Sequence, residues 1–283
     1  MIRVAYQGEP GAYGEEASLH FFAAEQVEAC PMPTFSAVYN SVASGMTDAG
    51  VLPLENSVAG TVGDALDALA TGPLTVIGEV LQPIHHQLLV LSGVAISEIE
   101  RVTSHWQALS QCDRFLSNHD WQLIPAADTA GAARQLALDR NPHVAVIASE
   151  RAAELYGLAV VARDIEDASH NVTRFAVISG ESRQRSHVAV ATGAGASTTP
   201  WESLITFETG HQPGDLVRAL SVLASAGINL SRIESRPSGE GPWRYRFLIQ
   251  VAGDADVDPL RAALAEMRTH TTSMRVLGSF AAG

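Results

Sequence analysis

The sequence predicts an α/β chain built as two βα lobes followed by a smaller βαββαβ unit. Short apolar runs alternate with helical patterns from residue 2 to about residue 163. A small, polar stretch over 181–200 breaks the pattern, which then resumes as strand, helix, strand, strand, helix, strand. The chain's 283 residues suit two or three compact units of roughly 100–200 residues each. With 46% hydrophobic and 17% charged residues, these units can bury their cores.

In chain order, strands are predicted at 2–6, 27–31 and 49–53, helices near 12–24, 35–45 and 61–71, and extended segments near 74–81 and 85–91. A second series follows, with strands at 101–104, 121–125, 143–147 and 158–163 and helices at 107–118, 128–139 and 150–156. Ser149 is placed to cap a helix that stops at Gly157, and Thr61 with Asp64 has the spacing of an N-terminal box. Residues 1–80 with 165–180 are read as one lobe and 81–164 as the other, with a ligand cleft where the chain crosses between them. Residues 181–200 read as a linker or linker-like hairpin. The last unit, 201–283, has strands at 201–208, 228–236, 243–251 and 273–280 and helices at 214–225 and 258–268, a ferredoxin-like order. Its first helix carries Leu216, Leu220 and Leu223 on one face and Gly227 at its end.

Composition removes whole classes of chemistry. A formal charge of −13 argues against nucleic-acid or anionic-membrane partners. All 18 basic side chains are arginine, so Schiff-base, pyridoxal and phosphate-loop lysine chemistry are excluded. Cys30 and Cys112 are too few for a disulfide framework and read as reduced packing thiols. The first residues open directly on a strand pattern, and no run of 18 apolar residues occurs, so a cytoplasmic protein is expected.

Four segments could carry chemistry. Gly8 to Glu15, with Gly11, Ala12 and Tyr13, joins a strand to a helix, where free amides can receive a carboxylate or simply make a tight turn. Glu55, Asn56, Ser57 and Thr61 cluster at a strand end, as ligands or as turn and cap residues. Ser104, His105 and Gln107 occupy a second such junction, and His85 and His86 form a further pair; scattered imidazoles do not make a zinc site. Asn171-Val172-Thr173-Arg174-Phe175 opens an apolar strand, with Thr173 and Phe175 on one face and Arg174 on the other.

Together, in this order, these segments resemble the prephenate dehydratase family. The tail adds to the resemblance: Glu234-Ser235-Arg236-Pro237 and the Gly214-Asp215-Leu216-Val217 loop resemble the effector-binding motifs of the ACT domain, and Leu277-Gly278-Ser279 resembles its closing strand. The resemblance implies a two-lobed catalytic domain like type II periplasmic binding proteins, an ACT regulatory domain, and a homodimer or homotetramer. It implies loss of carbon dioxide and hydroxide from prephenate to give phenylpyruvate, for phenylalanine synthesis, with no cofactor or metal. Thr173 would donate to the leaving hydroxyl, contributing roughly 10²–10⁴-fold in a concerted step. Arg174 would clamp a substrate carboxylate or, given the alternation, form a structural ion pair with Glu55 or another acid.

The sequence departs from the family pattern at Trp106, where proline is usual, at Gly14, at Gln87 and at Gln250. Asp215 brings a charge to the loop that would receive a phenylalanine effector between subunits, so an altered response is expected. Arogenate dehydratase is an alternative reading, with the 128–132 segment near the differing end of the substrate. A non-catalytic small-molecule sensor is another.

Overall fold

In a computed structural model, residues 1–70, 72–180, 200–239 and 241–282 are described; the expected linker at 181–200 lies, apart from Pro200, outside them. The chain begins with β1 (Ile2–Gln7), α1 (Tyr13–Phe21), β2 (Val27–Met32), α2 (Phe35–Ala43), β3 (Ala49–Asn56), β4 (Gly60–Thr61), α3 (Gly63–Ala70) and β5 (Thr75–Pro83). It continues through β6 (Gln87–Leu91), β7 (Arg101–His105), α4 (Trp106–Gln111), α5 (Asp113–Leu116), β8 (Gln122–Ala126), α6 (Thr129–Asp139), β9 (Val144–Ala148), α7 (Glu150–Tyr156) and β10 (Leu158–Ala162). It returns as β11 (Val172–Ser179) and ends with β12 (Trp201–Glu208), α8 (Asp215–Ser225), β13 (Leu230–Pro237), β14 (Tyr245–Ala252), α9 (Leu260–Met267) and β15 (Ser273–Ala281).

Three sheets result. The first has the order β2-β1-β3-β11-β5 with β4 beside β3, the second β10-β6-β9-β7-β8, and the third β13-β14-β12-β15. The returning β11 inserts antiparallel between β3 and β5. The polypeptide therefore crosses between the first two lobes twice, near 84–86 and 163–171, and β11, which carries Thr173, is an interior strand of its sheet.

Local chemistry sets the helix ends. Thr34, Asp128 and Ser149 accept the N–H groups of Ala37, Gly131 and Ala152, satisfying orphan donors of α2, α6 and α7. Gly157 ends α7 in the left-handed region, and the Ile228 N–H closes back on the Leu223 carbonyl past Gly227. Two sequence expectations are corrected. The helix expected over 107–118 is broken at Cys112, whose φ of −116° and ψ of 21° leave the helical region, giving α4 and α5. Thr61 does not start a helix: it pairs with Glu55 across β3 and β4, and α3 begins at Gly63.

The third sheet has two buried faces. Ile205, Phe207, Ile249 and Val251 pack under α8 and α9. Leu204, Leu248, Leu277 and Phe280 share a core with Val38, Leu52, Leu66 and Val76 of the first lobe. Each such side chain contributes about 1.5–3 kcal/mol on burial. The C-terminal unit is thus fused onto the first lobe rather than tethered beside it. Among the described residues, no helix is long and apolar enough to cross a membrane.

Candidate active site

A cleft of about 1190 Å³ lies between the first two lobes. Of the catalytic and substrate-binding residues expected from the sequence, Ala12, Tyr13, Asn56, Thr61, His105, Gln107, Thr173 and Phe175 line it. The first turns of α1, α2, α3 and α6 open on it, and among the described lining residues there is no arginine.

The turn before α1 is held by its backbone. Gly11 has φ of +92°, and a Cβ there would stand 2.8 Å from Ala152 Cα, so only glycine allows this turn to meet α7 of the second lobe. The Gly11 N–H donates to Glu15 at 2.6 Å, and Ser149 donates to the Gly11 carbonyl at 2.7 Å. Arg151 donates to Glu15 at 2.7 Å, and Tyr156 to the Pro10 carbonyl at 2.8 Å, which ties the lobes together at this end. Burial alone would raise the Glu15 pKa, but its bonds from Arg151 and Gly11 outweigh that and lower it.

Deeper in the cleft, three amides form a closed ring. Asn56 Nδ2 donates to Asn171 Oδ1 at 2.7 Å, Asn171 Nδ2 to Gln111 Oε1 at 3.2 Å, and Gln111 Nε2 to Asn56 Oδ1 at 3.2 Å. The sense of the ring is fixed, because Asn56 Oδ1 also accepts the backbone N–H groups of Val58 and Ala59, at 3.0 and 2.8 Å. Asn56 Nδ2 therefore faces Thr173 Oγ1, 3.0 Å away, and donates to it. With its acceptor side engaged, the threonine hydroxyl keeps its proton for another partner.

The ring continues into His86 at the first crossing. His86 Nε2 lies 2.9 Å from Gln111 Oε1, an acceptor, so this nitrogen carries the hydrogen. The Tyr13 hydroxyl donates to the His85 carbonyl at 2.7 Å and lies 3.2 Å from His86 Nδ1. Burial lowers the His86 pKa, against the pull of Gln111 and Glu166, and keeps the imidazole neutral. Burial also lowers the pKa of His105, whose Nδ1 accepts the Gln107 N–H at 3.4 Å as the cap of α4.

Other expected site residues lie elsewhere. Arg174 is on the opposite face of β11, where it donates to Glu79 at 3.1 Å; Gln250 of the C-terminal unit donates to the same Glu79 oxygen, also at 3.1 Å. The strand does bulge between Arg174 and Phe175, yet the alternation at Thr173 and Arg174 survives it. Burial raises the Glu79 pKa, with Arg174 and Gln250 opposing. Glu55 sits 3.7 Å from buried Arg232, which donates to the Leu54 carbonyl at 3.0 Å. Ser57 donates to the His170 carbonyl at 2.8 Å and accepts the Val172 N–H at 3.0 Å, pinning two strand ends. Ser104 is fully buried and donates to the Ile147 carbonyl at 2.6 Å. Gly11 and Asn171 stand behind the lining, as supports. His86, noted in the sequence only as one of a histidine pair, lines the cleft, and Gln111 was not foreseen as a site residue; it follows Gln107 by four residues, a same-face signal on α4. His85 Nδ1 lies 3.6 and 3.0 Å from carboxylate oxygens of Asp164 and Glu166, a polar cluster between the two crossings.

The expected effector segments divide between the faces of the third sheet. Gly214 precedes α8 at φ of +85°; Asp215 accepts the Gln212 N–H at 2.8 Å and pairs with Arg218, Leu216 packs inward, and Val217 is exposed. On β13, Ser235 and Pro237 are exposed while Glu234 and Arg236 meet the first lobe. Thr61, on the cleft wall, donates to Glu234, and Arg236 donates bidentately to Asp67, at 3.0 and 2.6 Å. The Arg236 guanidinium lies over the start of α3, 2.5 Å from where a Cβ at Gly63 would stand.

Comparisons with known proteins agree with this arrangement. Residues 4–183 match the family model described as prephenate dehydratase, and residues 203–268 match the ACT domain. The chloroplastic arogenate dehydratase/prephenate dehydratase 2 of Arabidopsis thaliana is 37% identical over 288 residues, covering 99% of this chain and 72% of the relative. The structure of prephenate dehydratase in complex with L-Phe from Arthrobacter aurescens superposes with a TM-score of 0.87 at 33% identity, covering 99% and 90% of the two chains. A structure described as GqqA, a novel type of quorum quenching acylase, gives 0.86 at 30% identity over 99% and 98%. The chain belongs to the prephenate dehydratase family, as a dehydratase domain followed by an ACT domain.

Proposed function

We propose that the cleft carries out the family's reaction on prephenate, releasing carbon dioxide and hydroxide, which takes up its proton from solvent, and leaving phenylpyruvate, with Thr173 as the hydrogen-bond donor to the departing hydroxyl. Aromatisation of the ring drives the elimination, so the protein's tasks are to hold two carboxylates and to stabilise a poor leaving group. With no arginine among the described lining residues, the carboxylates are received by backbone N–H groups and the positive ends of α1, α2 and α6. As the ring carboxylate leaves as carbon dioxide, its bonding electrons enter the ring and expel the hydroxyl, which is hydrogen-bonded by Thr173.

The observation that carries this reading is the fixed donation from Asn56 Nδ2 to Thr173 Oγ1. A threonine hydroxyl is too weak an acid to release its proton freely, but one that already accepts a bond is oriented to donate in a concerted step. The same observation separates this chemistry from acyl transfer: the group on Thr173 is an amide donor, whereas an activated nucleophile needs a base there. A second substrate, arogenate, is favoured by the dual name of the Arabidopsis relative. Incubating the purified chain with each compound, and following phenylpyruvate or phenylalanine, decides between them; turnover of neither removes the reading.

The proposal extends to regulation. Phenylalanine binds between ACT domains of two chains, which requires a homodimer or homotetramer, in the cytoplasm. The L-Phe complex of the Arthrobacter relative supports the ligand, and sedimentation velocity tests the assembly.

A further inference from the structure

Trp106 is a large exposed aromatic on the wall of the cleft, and the reaction proposed above leaves it without a role. It stands at the first position of α4 on the second lobe, 63% exposed, its ring 5.8 Å from that of His105 at 44°. The other aromatic lining residues, Tyr13, Phe35 and Phe175, are buried or half-buried. The exposed rim of the first lobe is built from small or polar groups such as Thr34, Ser36, Gly60 and Asp64. One indole therefore faces a polar rim across a wide opening.

The opening needs such a group. Ligand sites usually enclose about 300–1,000 Å³ and bury most of the ligand, whereas this cleft, at about 1190 Å³, is larger than a monocyclic dicarboxylate fills. The lobes are already tied at the Gly11 turn by Ser149, Tyr156 and Arg151. With that end held, a cover over a bound ring would fall to a side chain at the free rim, where Trp106 stands.

We propose that Trp106 is a substrate-binding residue, which folds over the six-membered ring of the bound substrate as an aromatic cover. An indole buries about 150–250 Å² and offers a flat face to a ring that becomes aromatic. Its contact exists in the ground state and persists in the transition state, so it acts on binding more than on turnover.

The proposal rests on the reaction assigned above, and the test separates the two. Steady-state kinetics on full-length Trp106→Ala and Trp106→Phe should show KM for prephenate raised roughly tenfold in the first and little in the second, with kcat changed less than about threefold in both. Titrating prephenate into the inactive Thr173→Ala chain should change tryptophan emission, and the change should vanish in Thr173→Ala/Trp106→Phe, although Trp121, Trp201 and Trp243 remain. A KM within twofold of wild type in Trp106→Ala overturns the cover, as does an emission change that survives loss of Trp106. If the wild-type chain turns over no substrate, the reaction assignment fails; the emission titration, which needs only binding, then decides the cover by itself.

Discussion

Asn56 Nδ2 lies 3.0 Å from Thr173 Oγ1, and two backbone N–H groups on Asn56 Oδ1 make any other sense of that hydrogen bond impossible. Replacing Asn56 by Asp keeps the shape and the backbone bonds but turns the donor into an acceptor. Thr173 would then spend its proton on the carboxylate. We expect kcat to fall by roughly 10²–10³-fold, the scale for loss of one preorganised donor, with unchanged circular dichroism. A kcat within threefold of wild type would show that Asn56 does not orient the hydroxyl.

Arg174 and Glu79 make a contrasting prediction. Their side chains are 30% and 4% exposed, and the pair links the dehydratase domain to Gln250 of the ACT domain. Arg174→Met should therefore destabilise the chain by about 1–3 kcal/mol in urea unfolding, with the upper values limited because Glu79 can protonate. KM for prephenate should stay within threefold. Adding Glu79→Gln should recover part of the loss, and a large KM effect without destabilisation would return Arg174 to the substrate.

His86 predicts a pH dependence. Its folded pKa is depressed below 6.5 by burial, so below that pH the unfolded chain binds the proton more readily than the folded one. The contribution is complete above about pH 6.5 and is lost as pH falls through the folded value. Urea midpoints should drop between pH 7.5 and 5.5 in the wild type and drop less in His86→Asn; parallel curves would rule out the buried neutral imidazole.

In the regulatory domain, Asp215 holds the Gln212 N–H and pairs with Arg218 at the start of α8. An amino-acid effector bringing its own carboxylate to this helix end meets a negative charge already in place. Asp215→Ala should strengthen phenylalanine binding at least threefold by isothermal titration. Equal or weaker binding would show that the pair with Arg218 has already neutralised the charge.

Much of this architecture was legible because it rests on local rules. Period-two alternation placed Thr173 and Phe175 against Arg174, and the spacing of capping residues placed Ser149 and Gly157. Hydroxyls were less legible: Ser57, Ser104 and Thr61 sit at strand ends in the same local pattern, yet Ser104 is scaffold, Ser57 pins a crossing, and only Thr61 lines the cleft. The amide ring was hidden for a different reason. Asn56, Gln111 and Asn171 lie 55 and 60 residues apart and meet only because the chain crosses twice between the lobes. Likewise Glu79 is one charge inside an apolar strand, and its partners come from 95 and 171 residues away. The fusion of the ACT sheet to the first lobe, which sets Glu234 on Thr61 and Arg236 on Asp67, depends on side chains paired across domains and leaves no local mark.

The most direct measurement is single-turnover decomposition of prephenate by Thr173→Val, Thr173→Ser and the wild-type chain. The hydroxyl-donor account predicts that valine, of equal shape but without the hydroxyl, slows the chemical step by roughly 10²–10⁴-fold while substrate still binds, and that serine restores much of the rate. A Thr173→Val chain that turns over prephenate at the wild-type rate would contradict it.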